Sequence, residues 1–395
     1  MLPCDRVALE EIVSSKRPLS GITIVEFAGI GPAPFAAMIL AGLGADVIRI
    51  DKPRSLDSKD VTDLFTSDAM NRDRRSIALD LKSEAGLKVA KKLIARADGL
   101  IEGFRPGVME RLGLGPEEAH QLNGGLTYVR MTGWGQNGPL AETAGHDLNY
   151  IGITGLLDAI GTSEAPVIPL NLVGDFGGGG TIAAIGMLAG ILSARISGEG
   201  SVVDAAIVDG VSLMGTMFEG LLSRGLWSLE RSKNLLDGGA PFYSIYNCAD
   251  EKAVAVAALE PKFFTEMATR LGLNELPAFS NQYGRETWPE MRRVLSATFS
   301  KQNRAYFEKL FEGSDACVTP VNNLAEAKLS RHLFERNMFQ ELQGVSHPRP
   351  APRFGGAVED VSPSPTPGEN RDEILLECGF SAPDISRLER AGAFG

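Results

Sequence analysis

The chain has 395 residues, of which 44% are hydrophobic and 23% are charged, and these values predict a folded globular protein with a large core. The formal net charge is −11, and the 39 lysines and arginines are dispersed along the sequence. Binding to nucleic acid by counterion release requires a broad basic face, so the composition argues against a nucleic-acid-binding protein.

The cysteine pattern and the terminal segments bear on localisation. Cys4, Cys248, Cys317 and Cys378 are far apart and share no metal-binding spacing. The first 17 residues mix acidic and basic side chains without an apolar signal core, and the terminal AGAFG is not a peroxisomal tripeptide. These features predict a reduced, cytoplasmic protein without a metal site.

One uncharged stretch, residues 177–194, has the length of a short membrane span. Asp175 and Arg195 lie close to its ends, and its glycine content is high. Small residues let neighbouring elements approach closely, so we expect a buried core helix and no contact with a membrane.

Strand-like and helix-like segments alternate in the first third of the chain. The strand-like segments are ITIVEF (22–27), DVIRI (46–50), GLIEG (99–103) and LTYVRM (126–131). Helical patterns begin near Phe35 and cover 83–96. This order predicts a parallel sheet with helices on its faces, followed by the glycine run, an apolar helix and SVVDAAIVDG (201–210).

The pattern changes near residue 235. APFYSIYNCADEKAVAVAALE predicts two strands joined by a turn at 250–252, and helices are expected near 261–272, 286–299 and 303–313. We therefore predict an α/β protein with two domains. The large domain covers 1–205 and is completed by about 345–395, a helical linker covers 206–239, a small α+β domain covers 240–328, and a return linker covers 329–344.

A dinucleotide-binding motif is the first candidate for chemistry. Gly29 and Gly31 follow the first strand, and Asp51 ends the next strand about 20 residues on, as in a dinucleotide-binding fold. The third glycine of that motif is absent, and Pro34 occupies its place. Nicotinamide binding is therefore disfavoured.

Five cations favour a different ligand for the same region. Lys52, Arg74, Arg75, Arg105 and Arg111 fall at or near predicted strand ends and loops. Ligands of open α/β sheets bind at the carboxyl ends of strands, and the arginine fork suits a single phosphate group. A nucleotide diphosphate or 3′-phosphate fits this pattern, although each cation taken alone is more often a solvated surface charge.

Three titratable side chains stand in unusual contexts. His146 lies in the glycine-flanked loop TAGHDLNY, Asp175 lies between an apolar run and four glycines, and Glu260 ends an apolar strand. Each has a purely structural alternative. His146 could be a turn histidine bonded to backbone, Asp175 a helix N-cap, and Glu260 an N-cap before Pro261 at the first helical position.

A set of sequence blocks in a fixed order carries a family resemblance. The blocks are PLSGITIVEFAGIGPAPFAAMILAGLGADVIRID, EGFRPGVMERLGLGP, MTGWGQNGP, AGHDLNY, PLNLVGDFGGG, VVDAAIVDG, GGAPFY and EPKFF, between about 18 and 355. In this order they resemble the α-methylacyl-CoA racemases of the family III CoA-transferase superfamily. The resemblance implies a Rossmann-like coenzyme A-binding large domain, a smaller α+β domain, an interlocked homodimer and a role in fatty acid metabolism.

The resemblance also implies roles for particular residues. His146 and Asp175 would face each other across the thioester α-carbon, and Glu260 would hydrogen-bond the histidine. The coenzyme A contacts would fall on Arg105, Arg111, Asp147 and the loop at Ile30. At the position of Lys52, relatives often carry arginine. Lysine keeps the positive charge but lacks the two-pronged guanidinium that binds a phosphate through two hydrogen bonds.

The chemistry of such a reaction fits these residue types. Inverting a carbon that bears one acidic hydrogen requires a base on one face and an acid on the other. Glu260 would orient the imidazole of His146, and the glycines after Asp175 would bring backbone amides beside the enolate oxygen. No metal or redox cofactor is required, because coenzyme A is part of the substrate.

Two alternatives differ in chemical class. A family III CoA-transferase would use Asp175 as a nucleophile that forms a mixed anhydride, but such an enzyme needs no opposed base such as His146. A non-catalytic acyl-CoA-binding protein would not need all three catalytic positions. The sequence leaves the acyl chain open among branched fatty acyl, sterol side-chain and aryl-propionyl thioesters.

Overall fold

The computed structural model describes residues 17–53 and 68–395, which divide into two compact units. The first contains the described chain up to Thr154, Leu170–Met214 and His332–Gly395, and the second contains Gly155–Pro169 and Gly215–Arg331. Residues 155–169 thus group with the second unit and 206–214 with the first, unlike in the sequence-based division. Cys4 and the N-terminal segment used to predict localisation lie outside the described residues.

The first unit contains a six-stranded parallel sheet. Its strands are β1 (Thr23–Phe27), β2 (Asp46–Asp51), β3 (Arg75–Ala78), β4 (Gly99–Glu102), β5 (Thr127–Thr132) and β6 (Ser201–Ala206). The spatial order is β3-β2-β1-β4-β5-β6, which places the carboxyl ends of all six strands at one edge. The α/β class and the parallel sheet are confirmed. The prediction missed β3, a strand of four residues.

Helices occur in both units. Along the chain the helices are α1 (Pro32–Gly42), α2 (Glu84–Ile94), α3 (Val108–Arg111), α4 (Pro116–Leu122), α5 (Asp147–Ile153), α6 (Leu156–Ala159), α7 (Ile182–Ser197), α8 (Ile207–Met214), α9 (Thr216–Ser223), α10 (Pro261–Arg270), α11 (Trp288–Phe299), α12 (Arg304–Phe311), α13 (Leu324–Leu329), α14 (Arg331–Glu335), α15 (Arg371–Glu377) and α16 (Ala382–Arg390). The helix α1 begins at Pro32, three residues before the predicted start, because proline suits the first turn of a helix.

The core of the first unit joins the sheet to the C-terminal helices. Buried side chains of β1 and β4, such as Phe27 and Leu100, share one hydrophobic cluster with Ile374 and Leu375 of α15. Asn370 adds a polar contact, since its Oδ1 accepts a hydrogen bond from the Ser76 amide at 3.0 Å. The C-terminal segment is therefore part of this core.

The second unit is built around a small antiparallel sheet. The strands β7 (Tyr243–Asn247), β8 (Ala253–Ala257) and β9 (Val318–Val321) are arranged in that order. Tyr246 of β7 and the alternate residues Val254 and Val256 of β8 are buried and pack with aromatic residues of α10, α11 and α12. The predicted hairpin and its three following helices are confirmed.

The glycine run lies inside a helix. Val173–Thr181 forms a π-helical segment that continues directly into α7. A Cβ at Gly178 would lie 2.8 Å from the Val211 amide nitrogen of α8, and a Cβ at Gly180 would lie 2.7 Å from the Pro32 carbonyl oxygen of α1. These glycines therefore allow close helix packing on two sides, which agrees with the close approach expected for residues 177–194.

Leu170–Ser197 is long and apolar enough to cross a membrane by length and composition, and it is the one such helix among residues 17–53 and 68–395. Of its most apolar 18-residue window, 44% is buried inside the protein. A core helix has the same composition, so this property is weak evidence for a span. The close contacts of its glycines with α1 and α8 are those of a core helix.

Candidate active site

Asp175 and His146, the two predicted acid–base residues, both lie in the first unit. Burial raises the pKa of the Asp175 carboxyl, a hydrogen bond from Asn171 lowers it, the Asp147 charge raises it further, and His146 lowers it. The net direction is upward. The structure therefore brings an imidazole and a protonation-prone carboxyl within electrostatic reach of each other.

Asp175 is half-buried in the first turn of the π-helical segment. Its Oδ2 accepts a hydrogen bond from Asn171 Nδ2 at 3.3 Å, and its backbone amide donates to Asp147 Oδ1 at 2.7 Å. A Cβ at Gly174 would lie 2.3 Å from Asp147 Oδ1, so only glycine permits this approach. Asp147 thus holds the backbone of Asp175 from the neighbouring helix α5.

His146 is exposed and occupies the N-cap position of α5. Its backbone amide donates to Asn149 Oδ1 at 3.1 Å, and its carbonyl accepts from the Asn149 amide at 2.8 Å. These reciprocal bonds fix the start of the helix. His146 therefore lies directly before Asp147, the first residue of α5, which accepts the hydrogen bond from the Asp175 amide.

The loop at Ile30 borders the same carboxylate. Gly31 has a φ of 72°, and a Cβ built on it would lie 3.4 Å from Asp175 Oδ2. Ile30 itself is 43% exposed. The loop between β1 and α1 therefore forms one wall beside Asp175, as the predicted substrate contact at Ile30 requires.

Arg105 lies in the turn EGFRPG that follows β4. The Phe104 amide donates to Glu102 Oε2 at 2.7 Å and fixes the turn, while burial raises the pKa of Glu102 to about 7. Arg105 is exposed, and its positive charge lowers the pKa of Tyr150, which burial and Asp175 raise. Arg105 is thus within electrostatic reach of the tyrosine on α5.

Lys52 and Arg111 are exposed cations at the ends of β2 and α3. Neither forms an ion pair with any residue in 17–53 or 68–395. Both side chains are therefore available to a phosphate group, and their predicted coenzyme A contacts stay predictions.

Arg74 and Arg75 are engaged within the protein. The Arg74 side chain is fully buried, with its Nε 3.0 Å from Glu26 Oε2. Arg75 pairs with three carboxylates, of Asp46, Glu373 and Glu377. Because the missed strand β3 carries Arg75 into the sheet, these two arginines serve the fold, and we do not propose them as ligand contacts.

Asp51, the acidic residue of the disfavoured dinucleotide motif, is also occupied. It is buried, its Oδ1 accepts from Arg49 Nε at 2.9 Å, and its Oδ2 accepts from Ser76 Oγ at 2.6 Å. Both carboxylate oxygens of Asp51 are thus bonded within the protein.

Glu260 lies in the second unit, at the N-cap position of α10 with Pro261 in the first turn. Its side chain makes no capping hydrogen bond, and the residue is exposed. Glu260 thus has the predicted N-cap position, but its carboxylate does not cap the helix.

Two polar residues beside Asp175 and His146 were not among the predicted site residues. Asn171 stands four residues before Asp175, which is helical spacing, and Tyr150 stands four residues after His146. A helical interpretation of 170–181 would have found Asn171. In the part of the chain that the structure describes, no group of three or more His, Cys, Asp or Glu side chains could hold a metal ion.

The fold and this arrangement define an α/β protein with a candidate acid–base site, and a comparison with known families identifies its family. Residues 19–372 match the model of CoA-transferase family III, so the chain belongs to that family. The chain is similar to the alpha-methylacyl-CoA racemase of Homo sapiens, with 42% identity over 94% of this chain and 96% of that protein. It is 41% identical to the alpha-methylacyl-CoA racemase of Mus musculus, again over 94% of this chain and 96% of the relative.

A solved structure supports the fold. The crystal structure of a CAIB/BAIF family protein from Brucella suis matches with a TM-score of 0.77 and 27% sequence identity. The match covers 92% of this chain and 100% of that one.

Proposed function

We propose that this chain is an α-methylacyl-CoA racemase, which interconverts the R and S forms of 2-methylacyl-CoA thioesters. The observation that carries the proposal is the pairing of Asp175, whose pKa is raised, with His146 in electrostatic reach. The near full-length similarity to two racemases supports it. An acid and a base of different chemistry are what inversion at one carbon requires.

The reaction is a 1,1-proton transfer. One of the two residues removes the α-proton, the electrons of the broken C–H bond move into the thioester carbonyl, and an enolate forms. The other residue then donates a proton to the opposite face of the α-carbon. For the other enantiomer Asp175 and His146 exchange roles, so each must carry a proton in one direction and lack it in the other.

The remaining groups bind and orient. The Ile30 loop beside Asp175, with the exposed cations Lys52, Arg105 and Arg111, supports a coenzyme A site, while Asp147 holds the backbone of Asp175. The role that the resemblance implies for Glu260 stays a prediction. No cofactor besides the coenzyme A of the substrate takes part.

A homodimer and a cytoplasmic location belong to the same proposal. Ile185, Leu192 and Ile196 are 55%, 63% and 80% exposed along one face of α7, and a second copy would cover this apolar stripe. Cys248, Cys317 and Cys378 are free thiols, which suits a reducing compartment.

Isotope exchange tests the function directly. Incubated with (S)-2-methylacyl-CoA in D₂O, the protein is expected to incorporate deuterium at the α-carbon and to produce both epimers without an acceptor acid, as followed by proton NMR. The alternative, a CoA-transferase with Asp175 as nucleophile, would show no exchange and would instead form the CoA ester of an added carboxylic acid.

The charge of Asp147 gives a prediction for pH dependence. Asp147→Asn retains the Oδ1 that accepts the Asp175 amide but removes a charge that raises the pKa of Asp175. For the enantiomer whose α-proton Asp175 removes, Asp175 must be ionised, so a lower pKa extends activity on that enantiomer to lower pH. The acidic limb of the pH–rate profile for that enantiomer is therefore expected to move down.

A matched control separates this effect from the loss of any aspartate. Asp204 also accepts a backbone hydrogen bond, from the Gln136 amide at 2.9 Å. Asp204→Asn is expected to leave the acidic limb in place. An unchanged or upward-shifted limb in Asp147→Asn would show that Asp147 does not control the carboxyl of Asp175.

A further inference from the structure

The peptide unit that joins Gly145 to His146 is held by two side chains of the helix that follows it. Its carbonyl, that of Gly145, accepts a hydrogen bond from the Tyr150 hydroxyl. Its amide, that of His146, donates to Asn149 Oδ1 at 3.1 Å. Because both polar groups of one peptide plane are bonded, the plane cannot rotate without breaking two hydrogen bonds.

The ring of Tyr150 fits a slot that only glycine leaves open. A Cβ at Gly133 would lie 2.0 Å from Tyr150 Cζ, and a Cβ at Gly145 would lie 2.7 Å from Tyr150 Cε1. The indole of Trp134 packs against the ring at 4.7 Å between centroids with an interplanar angle of 85°. Tyr150 is 8% exposed, so its hydroxyl position is fixed by packing on several sides.

The hydroxyl of Tyr150 is a permanent donor. Burial raises the pKa of Tyr150, the Asp175 charge raises it further, and Arg105 only partly opposes them. The phenol therefore keeps its proton across the physiological range and continues to donate to Gly145.

We propose that Tyr150 is a positioning residue that fixes the direction of the His146 side chain by locking the preceding peptide plane. The inference rests on the proposed racemase function, in which His146 must reach one face of the α-carbon. A small rotation of this plane would swing the imidazole away from the substrate, and proton transfer is sensitive to such displacements.

Tyr150→Phe removes only the hydroxyl and is compared with Tyr246→Phe. Tyr246 is a matched control in the second unit, because it is buried and its hydroxyl donates to the Pro241 carbonyl, also five residues earlier, at 2.6 Å. We expect Tyr150→Phe to lower kcat about tenfold and to leave KM for the thioester unchanged. Loss of a general acid or base itself costs about a hundredfold or more, and a residue that only positions His146 should cost less. Tyr246→Phe is expected to leave both constants unchanged.

Exchange into each enantiomer gives a sharper readout. His146 removes the proton of one enantiomer and Asp175 that of the other, so Tyr150→Phe should slow α-deuterium exchange in one enantiomer more than in the other. An equal loss for both enantiomers, or a loss that Tyr246→Phe reproduces, would mean a general structural role and would overturn the proposal. Unchanged kinetics would do the same.

A measurement that needs no activity separates this inference from the proposed function. The chain has four histidines, and the imidazole NMR signal of His146 can be assigned with a His146→Gln variant. Tyr150→Phe is expected to shift that signal alone. If the wild-type protein shows no exchange but the signal moves, the racemase function fails and the positioning role stands. If the signal does not move, the positioning role fails.

Discussion

Replacement of Asp175 by asparagine is expected to lower epimerisation, and α-proton exchange in the enantiomer whose proton Asp175 removes, by about a thousandfold, within the range of about 10² to 10⁴ for general acid–base groups. Asparagine preserves the shape of the side chain but cannot take up a proton. The backbone bond from residue 175 to Asp147 is unaffected, so coenzyme A binding should persist. Turnover by NMR and binding by calorimetry check the two halves of this expectation.

The stability of the same variant should change in the opposite direction. Burial raises the pKa of Asp175 in the folded chain, so protonation favours folding, and ionisation at higher pH disfavours it. A neutral asparagine removes this cost, and the Tm of Asp175→Asn at pH 8 should equal or exceed that of the wild type. The loss of activity would then arise without a loss of structure, as expected where a site is tuned for function.

A control on a nearby helix completes the test. Asp209 is an exposed aspartate in the first turn of α8, and Asp209→Asn should keep full activity. Full turnover in Asp175→Asn would remove this residue from the mechanism. Loss of activity together with unfolding would assign it to the fold instead.

Gly210→Ala is expected to lower the free energy of unfolding by about 2–3 kcal/mol or more, as overpacking of a close contact does. A Cβ on this residue of α8 would lie 1.8 Å from the Gly178 carbonyl oxygen. The contact is with backbone inside a helix, so no flexible side chain can move aside. The midpoint of urea unfolding measures the effect.

Gly220→Ala provides the opposite expectation on a neighbouring helix. Gly220 lies in α9, and a Cβ there would meet nothing within 4 Å. Alanine is favoured over glycine in a helix by about 1 kcal/mol, so this variant should be more stable than wild type. Equal stability of Gly210→Ala and wild type would contradict the close crossing of α8 and the π-helical segment.

The local pattern of apolar, turn and proline residues was sufficient to predict many of the strands and helices. The alternation of apolar segments predicted β1, β2, β4 and β5, and the hairpin of the second unit followed from its turn and its alternating strands. Proline at the start of α10 marked a helix beginning after Glu260. These features depend on neighbours in sequence, which is why a single chain predicts them.

The candidate site was predicted in part. The ordered blocks singled out His146 and Asp175, and the structure places both in the first unit with the Ile30 loop beside Asp175. The argument from cations near predicted strand ends took Arg74 as a candidate phosphate contact, whereas Glu26, distant in sequence, pairs with it in the buried sheet. A charge alone does not indicate which carboxylate it will meet.

The sequence by itself determined the α/β class and the hairpin of the second unit, because these depend on residue type and local periodicity. The tertiary structure alone decided which helices the glycines bring together, that β3 places Arg75 among carboxylates, and that Tyr150 locks the peptide before His146. The physical reason is that such contacts join elements whose approach is set by packing in three dimensions. The spacing of residues along the sequence does not indicate which distant elements will come into contact.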